Sequence, residues 1–248
     1  MRPFLKRYLY ENSTFEVFGV EHMVGLLVSV LMIVLIPWVS LKYLGKNSQA
    51  RLGMVIGYIV MLNYPIWVVL EMIAGTFNFS LHLPVHLCRI SNLLIPLVMV
   101  KRHYLTFEIL FFWGLSGTLQ GAITPDISAG FPHFHYFRFW IAHNGLVLAL
   151  IYAVVVFKMW PTKKSIQKSF MALNLFLILA VIVNLILDAN YFWICGKPVT
   201  PSGDHVPTIL DFMGPWPWYI LTAEFVALIH FLLAYTPFYF INKKRECS

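Results

Sequence analysis

Seven apolar stretches, each near the length that crosses a hydrocarbon core, occupy most of this chain, at about residues 23–44, 52–73, 82–100, 104–124, 138–159, 169–192 and 216–240. In hydrocarbon a backbone must satisfy its own polar groups, and a continuous apolar run does so as a helix. Hydrophobic residues make up 59% of the 248 and charged residues 12%, where a soluble domain has about 45–50% and about 25%. The expected fold is therefore all-α: one polytopic transmembrane bundle of about seven helices spanning residues 1–248, with no separate soluble domain. Residues 1–21 mix Arg2, Lys6 and Arg7 with Glu11, Glu16 and Glu21 and do not read as a cleavable signal peptide. Cys88, Cys195 and Cys247 are scattered, which gives neither a disulfide framework nor a CxxC metal pair.

The net charge of +7 comes from basic residues interleaved with the spans, so it does not suggest a nucleic-acid partner. Connections one, three and five and the C-terminal tail carry Lys42, Lys46, Arg51, Lys101, Arg102, Lys158, Lys163, Lys164, Lys168, Lys243, Lys244 and Arg245. The other side has Arg138, Lys197 and the three N-terminal cations. By the positive-inside rule the N-terminus is expected outside and the C-terminus in the cytoplasm, in a multi-pass protein of the plasma membrane.

With that threading, chemistry gathers at one end. The stretch His82-Leu83-Pro84-Val85-His86-Leu87-Cys88-Arg89-Ile90-Ser91-Asn92 opens the third span. At roughly 100° per residue, a single helix would place His82, His86, Cys88, Arg89 and Asn92 on one face. Lipid cannot solvate such a face, so it is expected to line a cavity or touch protein. Gln120, His143, Asp188 and Glu224 belong to the same end, as do Glu71, His133 and His135. Only His103 and His230 are expected in the opposite half. Aromatic clusters at 131–140 and 214–219 suit the headgroup level of that end. The seven spans do not divide into two halves with matching broken helices, which argues against a transporter.

Several ordered motifs carry a resemblance. They are Leu83-Pro84-Val85-His86-Leu87-Cys88, Phe112-Trp113-Gly114-Leu115-Ser116-Gly117-Thr118-Leu119-Gln120, Thr124-Pro125-Asp126, Phe131-Pro132-His133, Ala172-Leu173-Asn174, Asn190-Tyr191 and Gly214-Pro215-Trp216-Pro217-Trp218-Tyr219. Through them the chain resembles the YwaF-like bacterial integral membrane proteins, and distantly a eukaryotic branch of lipid-remodelling transmembrane acyltransferases thought to act through a cysteine and a histidine. The resemblance implies acyl-chain chemistry on a membrane lipid. Two positions depart from the pattern: Arg89 stands where the family motif is often acidic, and Val85 follows the proline where the eukaryotic branch can carry its cysteine. A role for Cys88 here therefore rests on its own surroundings.

Those surroundings suggest a nucleophile. A cysteine needs a base to take its proton or a cation to hold its thiolate. His143, in the first turns of the fifth span, is the best-placed base, with Asp188 or Asp126 to orient it. His86, Arg89, Gln120 and Glu224 are expected to bind substrate. Arg89 and Glu224 lie at similar depths, so they are expected to form a buried ion pair, unless Arg89 grips a lipid phosphate or carboxylate bidentately. Two alternatives stay open. A non-catalytic protein could bind or transport a ligand in the same cavity. A membrane-embedded zinc hydrolase could use His82 and His86, spaced i and i+4, with His133 and His135. No cofactor is otherwise implied, and there is no Walker A loop, GxSxG or HExxH motif.

Overall fold

The computed structural model describes the chain except residues 1, 11–14, 126, 128, 200–207 and 247–248; for 242–246 it describes the backbone alone. Asp126, Ser202, His205 and Cys247 lie outside the described residues. Among the described residues ten α-helices follow in order: α1 (Arg2–Tyr10), α2 (Val20–Tyr43), α3 (Lys46–Ala74), α4 (Phe79–His82), α5 (Leu87–Met99), α6 (Tyr104–Trp113), α7 (Leu119–Ile123), α8 (Phe134–Val155), α9 (Lys163–Leu187) and α10 (Trp218–Glu246). A π-turn, Gly114–Thr118, joins α6 to α7 without a break, and short 3-10 turns, Tyr191–Trp193 and Ile209–Met213, lie between α9 and α10.

Among the described residues five helices are long and apolar enough to cross a membrane: α2, α3, α8, α9 and α10. The α6–π–α7 unit runs from Tyr104 to Ile123, about 30 Å at 1.5 Å per residue. α5 has 13 residues, about 20 Å by the same rise. It is the most enclosed of the set, packing on α3, α6 and α8, with Ile95, Val98 and Met99 fully buried. α8 forms the other half of the core, contributing Leu146, Ala149, Leu150, Tyr152 and Ala153 at 0% exposure. The lipid-like periphery is α2, α9 and α10, where Leu27, Leu185, Ile186, Leu221 and Leu233 are exposed.

One expectation fails here: the third span does not begin as a helix at His82. α4 stops there, Leu83 turns extended (φ −69°, ψ 156°), and α5 starts only after His86 (φ −118°, ψ 145°). The cause is Pro84. Its ring disfavours helical backbone at the preceding residue and it has no N–H to give a helix. Non-helical backbone is tolerated at membrane depth only inside protein or beside a cavity. Here it is tied on both sides. The Tyr191 hydroxyl accepts from Leu83 N at 2.9 Å and donates to Phe79 O. The Arg89 guanidinium donates back to Leu81 O at 2.6 Å and Leu83 O at 2.9 Å.

At the opposite, basic end, buried Glu108 of α6 receives Ser165 Oγ and Lys168 Nζ of α9, each at 2.6 Å. Those bonds, with Ser169 Oγ on the Glu108 carbonyl, lock α6 to α9.

Candidate active site

Because the break at Leu83–His86 delays α5, the helix begins inside the bundle, and its first turn opens on a pocket of about 230 Å³. His86, the N-cap residue, and Cys88, the second residue of the helix, line it. The first intrahelical bond is Ile90 N to His86 O at 3.0 Å, and the His86 side chain does not cap the turn. A helix N-terminus carries partial positive charge, and a cysteine there is the type whose thiolate is favoured. The His86 ring meets Tyr191 and Trp193 edge-on, with centroids at 5.5 and 5.1 Å.

Opposite this turn the wall is the π-turn with α7. A π-turn holds one residue more than the α-helix it interrupts, and such turns frequently mark functional sites. Ser116, Gly117 and Thr118 all face the pocket. Thr118 is 2% exposed and its hydroxyl has no hydrogen-bond partner, so a buried donor waits on the cavity wall. Gly114 lets this swelling lie against α8, since a Cβ there would sit 2.3 Å from Leu150 Cδ1.

His143 comes from α8. Its Nδ1 lies 3.0 Å from Phe139 O; a carbonyl can only accept, so the neutral ring carries its proton on Nδ1 and its lone pair on Nε2. The ring stacks on Phe139 at 4.2 Å and rests on Gly121, where a Cβ would come within 3.3 Å of Nε2. α10 adds Glu224, which accepts from Asn174 Nδ2 of α9 at 3.1 Å, and His230, whose Nδ1 donates to Val226 O at 2.8 Å. Gln120 bonds Thr124 at 3.3 Å within the lining. The rest is largely apolar, including Leu173, Leu177, Ile220 and Ala227.

The pocket thus gathers His86, Cys88, Gln120, His143 and Glu224, and leaves out three residues expected to join them. Asp188 is the exposed C-cap of α9 (φ 48°), so it does not orient His143; the Phe139 carbonyl takes that part. Arg89 is engaged by the carbonyls of the break and lies 4.8 Å over the Trp67 ring. Glu224 is held by Asn174, so the two do not form the expected pair. His82 lies in a second polar cluster with buried Glu71, whose carboxylate receives Tyr10, Trp67 and Thr76 at 3.1, 2.8 and 2.6 Å and is 3.8 Å from His82 Nε2. In the first span, His22 is fully buried against the Ala122 carbonyl.

The conditional metal set divides in the same way. His86 is in the pocket, His82 beside Glu71, and His133 donates through Nε2 to Tyr8 O at 2.5 Å and accepts His135 N on Nδ1 at 3.2 Å. Among the described residues no three His, Cys, Asp or Glu side chains are grouped as a metal would require. Two features of the pocket escaped the sequence reading. His230 was expected in the other half, yet the cavity reaches it. The π-turn had a visible signal, two glycines with two hydroxyl residues inside an otherwise apolar span.

Comparison with known proteins adds a family. No solved structure matches the chain. A relative described as an uncharacterized protein, from Treponema pallidum (strain Nichols), is 23% identical over 237 residues, 93% of this chain and 92% of that one. The model of the TMEM164 family matches residues 17–235, nearly the whole transmembrane region. The chain belongs to the TMEM164 family, a family of multi-pass membrane proteins.

Proposed function

We propose that this protein is a membrane-embedded enzyme that hydrolyses or transfers an acyl group of a membrane lipid, with Cys88 as nucleophile and His143 as base. The observation that carries the reading is their arrangement: a cysteine at the second position of a buried helix and a histidine with its lone pair on Nε2 line one apolar pocket. The likeness to YwaF-like proteins and their acyltransferase branch supports it. Cys88 Sγ gives its proton to His143 Nε2 and attacks the acyl carbonyl carbon. The oxyanion that forms faces the first-turn amides of α5 and the Thr118 hydroxyl, groups that stabilise negative charge. Collapse expels the lipid alcohol, which takes the proton from His143, and leaves a thioester on Cys88. Water then releases the fatty acid, or a second alcohol accepts the acyl group. His86, Gln120 and Glu224 line the path of the substrate, and the apolar walls suit the acyl chain.

The topology that serves this reading has seven crossings. Counted along the chain, α4, the extended break and α5 together form the third, and the α6–π–α7 unit is the fourth. The N-terminus is then outside, the C-terminus cytoplasmic, and the pocket opens toward the outer leaflet of the plasma membrane.

The test is intact-protein mass spectrometry after incubation with a mixed-chain phospholipid in detergent. An acyl adduct should appear on wild type, be absent in Cys88→Ala, and build up more slowly in His143→Ala. Turnover undiminished in Cys88→Ala would refute the nucleophile. A Cys88→Ala protein that still retains lipid, with no adduct on wild type, would favour ligand binding without chemistry.

A further inference from the structure

Three connections of the basic end converge on a second recess, far from the cysteine. Its walls include Lys46, the first residue of α3; Arg102, between α5 and α6; and Lys158, just after α8. Gln49, Tyr104 and Phe157 also stand in the walls, and no Asp or Glu is among the lining residues. The recess has a volume of about 400 Å³.

The backbone at two of these cations is unusual. Arg102 has φ 55° and Lys158 has φ 57°, the left-handed region that helix ends usually give to glycine. A residue with a Cβ held there costs on the order of 1 kcal/mol. Both stand at helix ends closed by a backward bond: His103 N bonds back to Leu97 O and Arg102 N to Val98 O, and Met159 N bonds to Ala153 O. In each case a long cation occupies the position where glycine would be cheapest. Arg102 lies over the Phe157 ring and donates to the carbonyls of Val98 and Met99. Burial pushes its pKa down, as expected of a cation drawn out of water. None of the three cations has a carboxylate within salt-bridge distance among the described residues. The α3 N-terminus, with no side-chain cap, adds its dipole at the same place.

Three cations and a helix N-terminus around an acid-free recess are what a phosphate requires. Basic recesses between membrane helices hold anionic headgroups in this way. We infer that the recess formed by Lys46, Arg102 and Lys158 is a phosphate-binding site. This inference does not depend on the acyl chemistry assigned to the other pocket.

The test uses the full chain in a nonionic detergent, titrated with dioctanoyl phosphatidic acid, dioctanoyl phosphatidylcholine or inorganic phosphate, with native mass spectrometry and melting temperature as readouts. Phosphatidic acid should bind well above phosphatidylcholine, and each cation removed should weaken it on the order of fivefold. Two substitutions avoid a folding artefact. Lys158→Gly relieves the left-handed backbone, so it should melt no lower than wild type while losing affinity. Lys46→Gln changes an exposed side chain at the start of α3. Inorganic phosphate binding as tightly as phosphatidic acid would identify a soluble phosphate as the ligand; a clear preference for phosphatidic acid would identify a lipid headgroup. Cys88→Ser should bind either as wild type does. Failure of both phosphates to bind, or binding undiminished in the Lys46→Gln, Lys158→Gly double variant, would overturn the inference.

Discussion

At the scale of single residues, what matters about His143 is its contact with Gly121. The imidazole is fixed by Phe139 on one side and by the glycine backbone on the other. A methyl group at position 121 would reach within 3.3 Å of the ring, so the ring must give by a few tenths of an ångström. Displacing a catalytic group by about 1 Å can cost about 100-fold, and a smaller shift should cost about tenfold. Gly121→Ala should thus fold with a melting temperature close to wild type and acylate Cys88 about tenfold more slowly, measured as adduct formation against time. The role of a half-buried histidine is legible in sequence only as a possibility, because the partner that fixes its tautomer is a carbonyl one turn away. Asp188 shows the reverse error: an acid at a plausible depth proves to be an exposed helix cap. His230 was misplaced because depth counted along a helix says nothing about how far a cavity penetrates.

At the scale of elements, the break before α5 decides what the first turn can touch. The signal was present in Pro84, which forbids helix at Leu83, but the helical spacing of His82, His86 and Arg89 masked it. Periodicity identifies a shared face only if the backbone is continuous. Tyr191 and Arg89 both hold Leu83 in the break, so the effect of each should be measurable. Tyr191→Phe leaves the part-buried Leu83 N–H without its acceptor, an omission that costs about 1 kcal/mol. The same phenol donates to Phe79 O. Both Tyr191→Phe and Arg89→Ala should lower the melting temperature in detergent. Arg89→Lys should restore little, because one ammonium cannot reproduce a planar fork on two carbonyls. An Arg89→Ala protein with wild-type melting would show that the guanidinium does not hold the break.

At the scale of the whole molecule, composition and the lengths of the apolar runs made the bundle legible, because water-free surroundings leave so few ways to satisfy a backbone. Five long helices follow from those runs directly. α5 was overestimated in length because apolar residues continue across the break, and no property of an apolar run records where it stops being helical. The two ends of the bundle differ in chemistry, and that predicts a labelling pattern. Cysteines placed at exposed Lys101 and Lys164 should react with an impermeant maleimide from one side of the membrane, and those at exposed Asp188 and Phe131 from the other. Reaction of 164 and 188 from the same side would exclude α9 as a crossing; the sides exchanged would reverse only the orientation.

The turn at Gly114–Thr118 has a consequence for length. A π-turn is what a helix makes of one surplus residue: the excess is absorbed locally, and the segments on either side keep the faces they would have had. Removal of Gly117 should then let the regular ladder close, with Trp113 and Gly121 still facing Ser169 and His143 as before. The bundle should melt no lower, yet the wall that offers Ser116 and Thr118 would recede from Cys88, and acylation should fail. Deletion is ordinarily the harshest lesion a buried helix can suffer. In this segment it would be the gentlest to the fold and among the most damaging to the chemistry, because the number of residues, more than their identity, shapes the cavity.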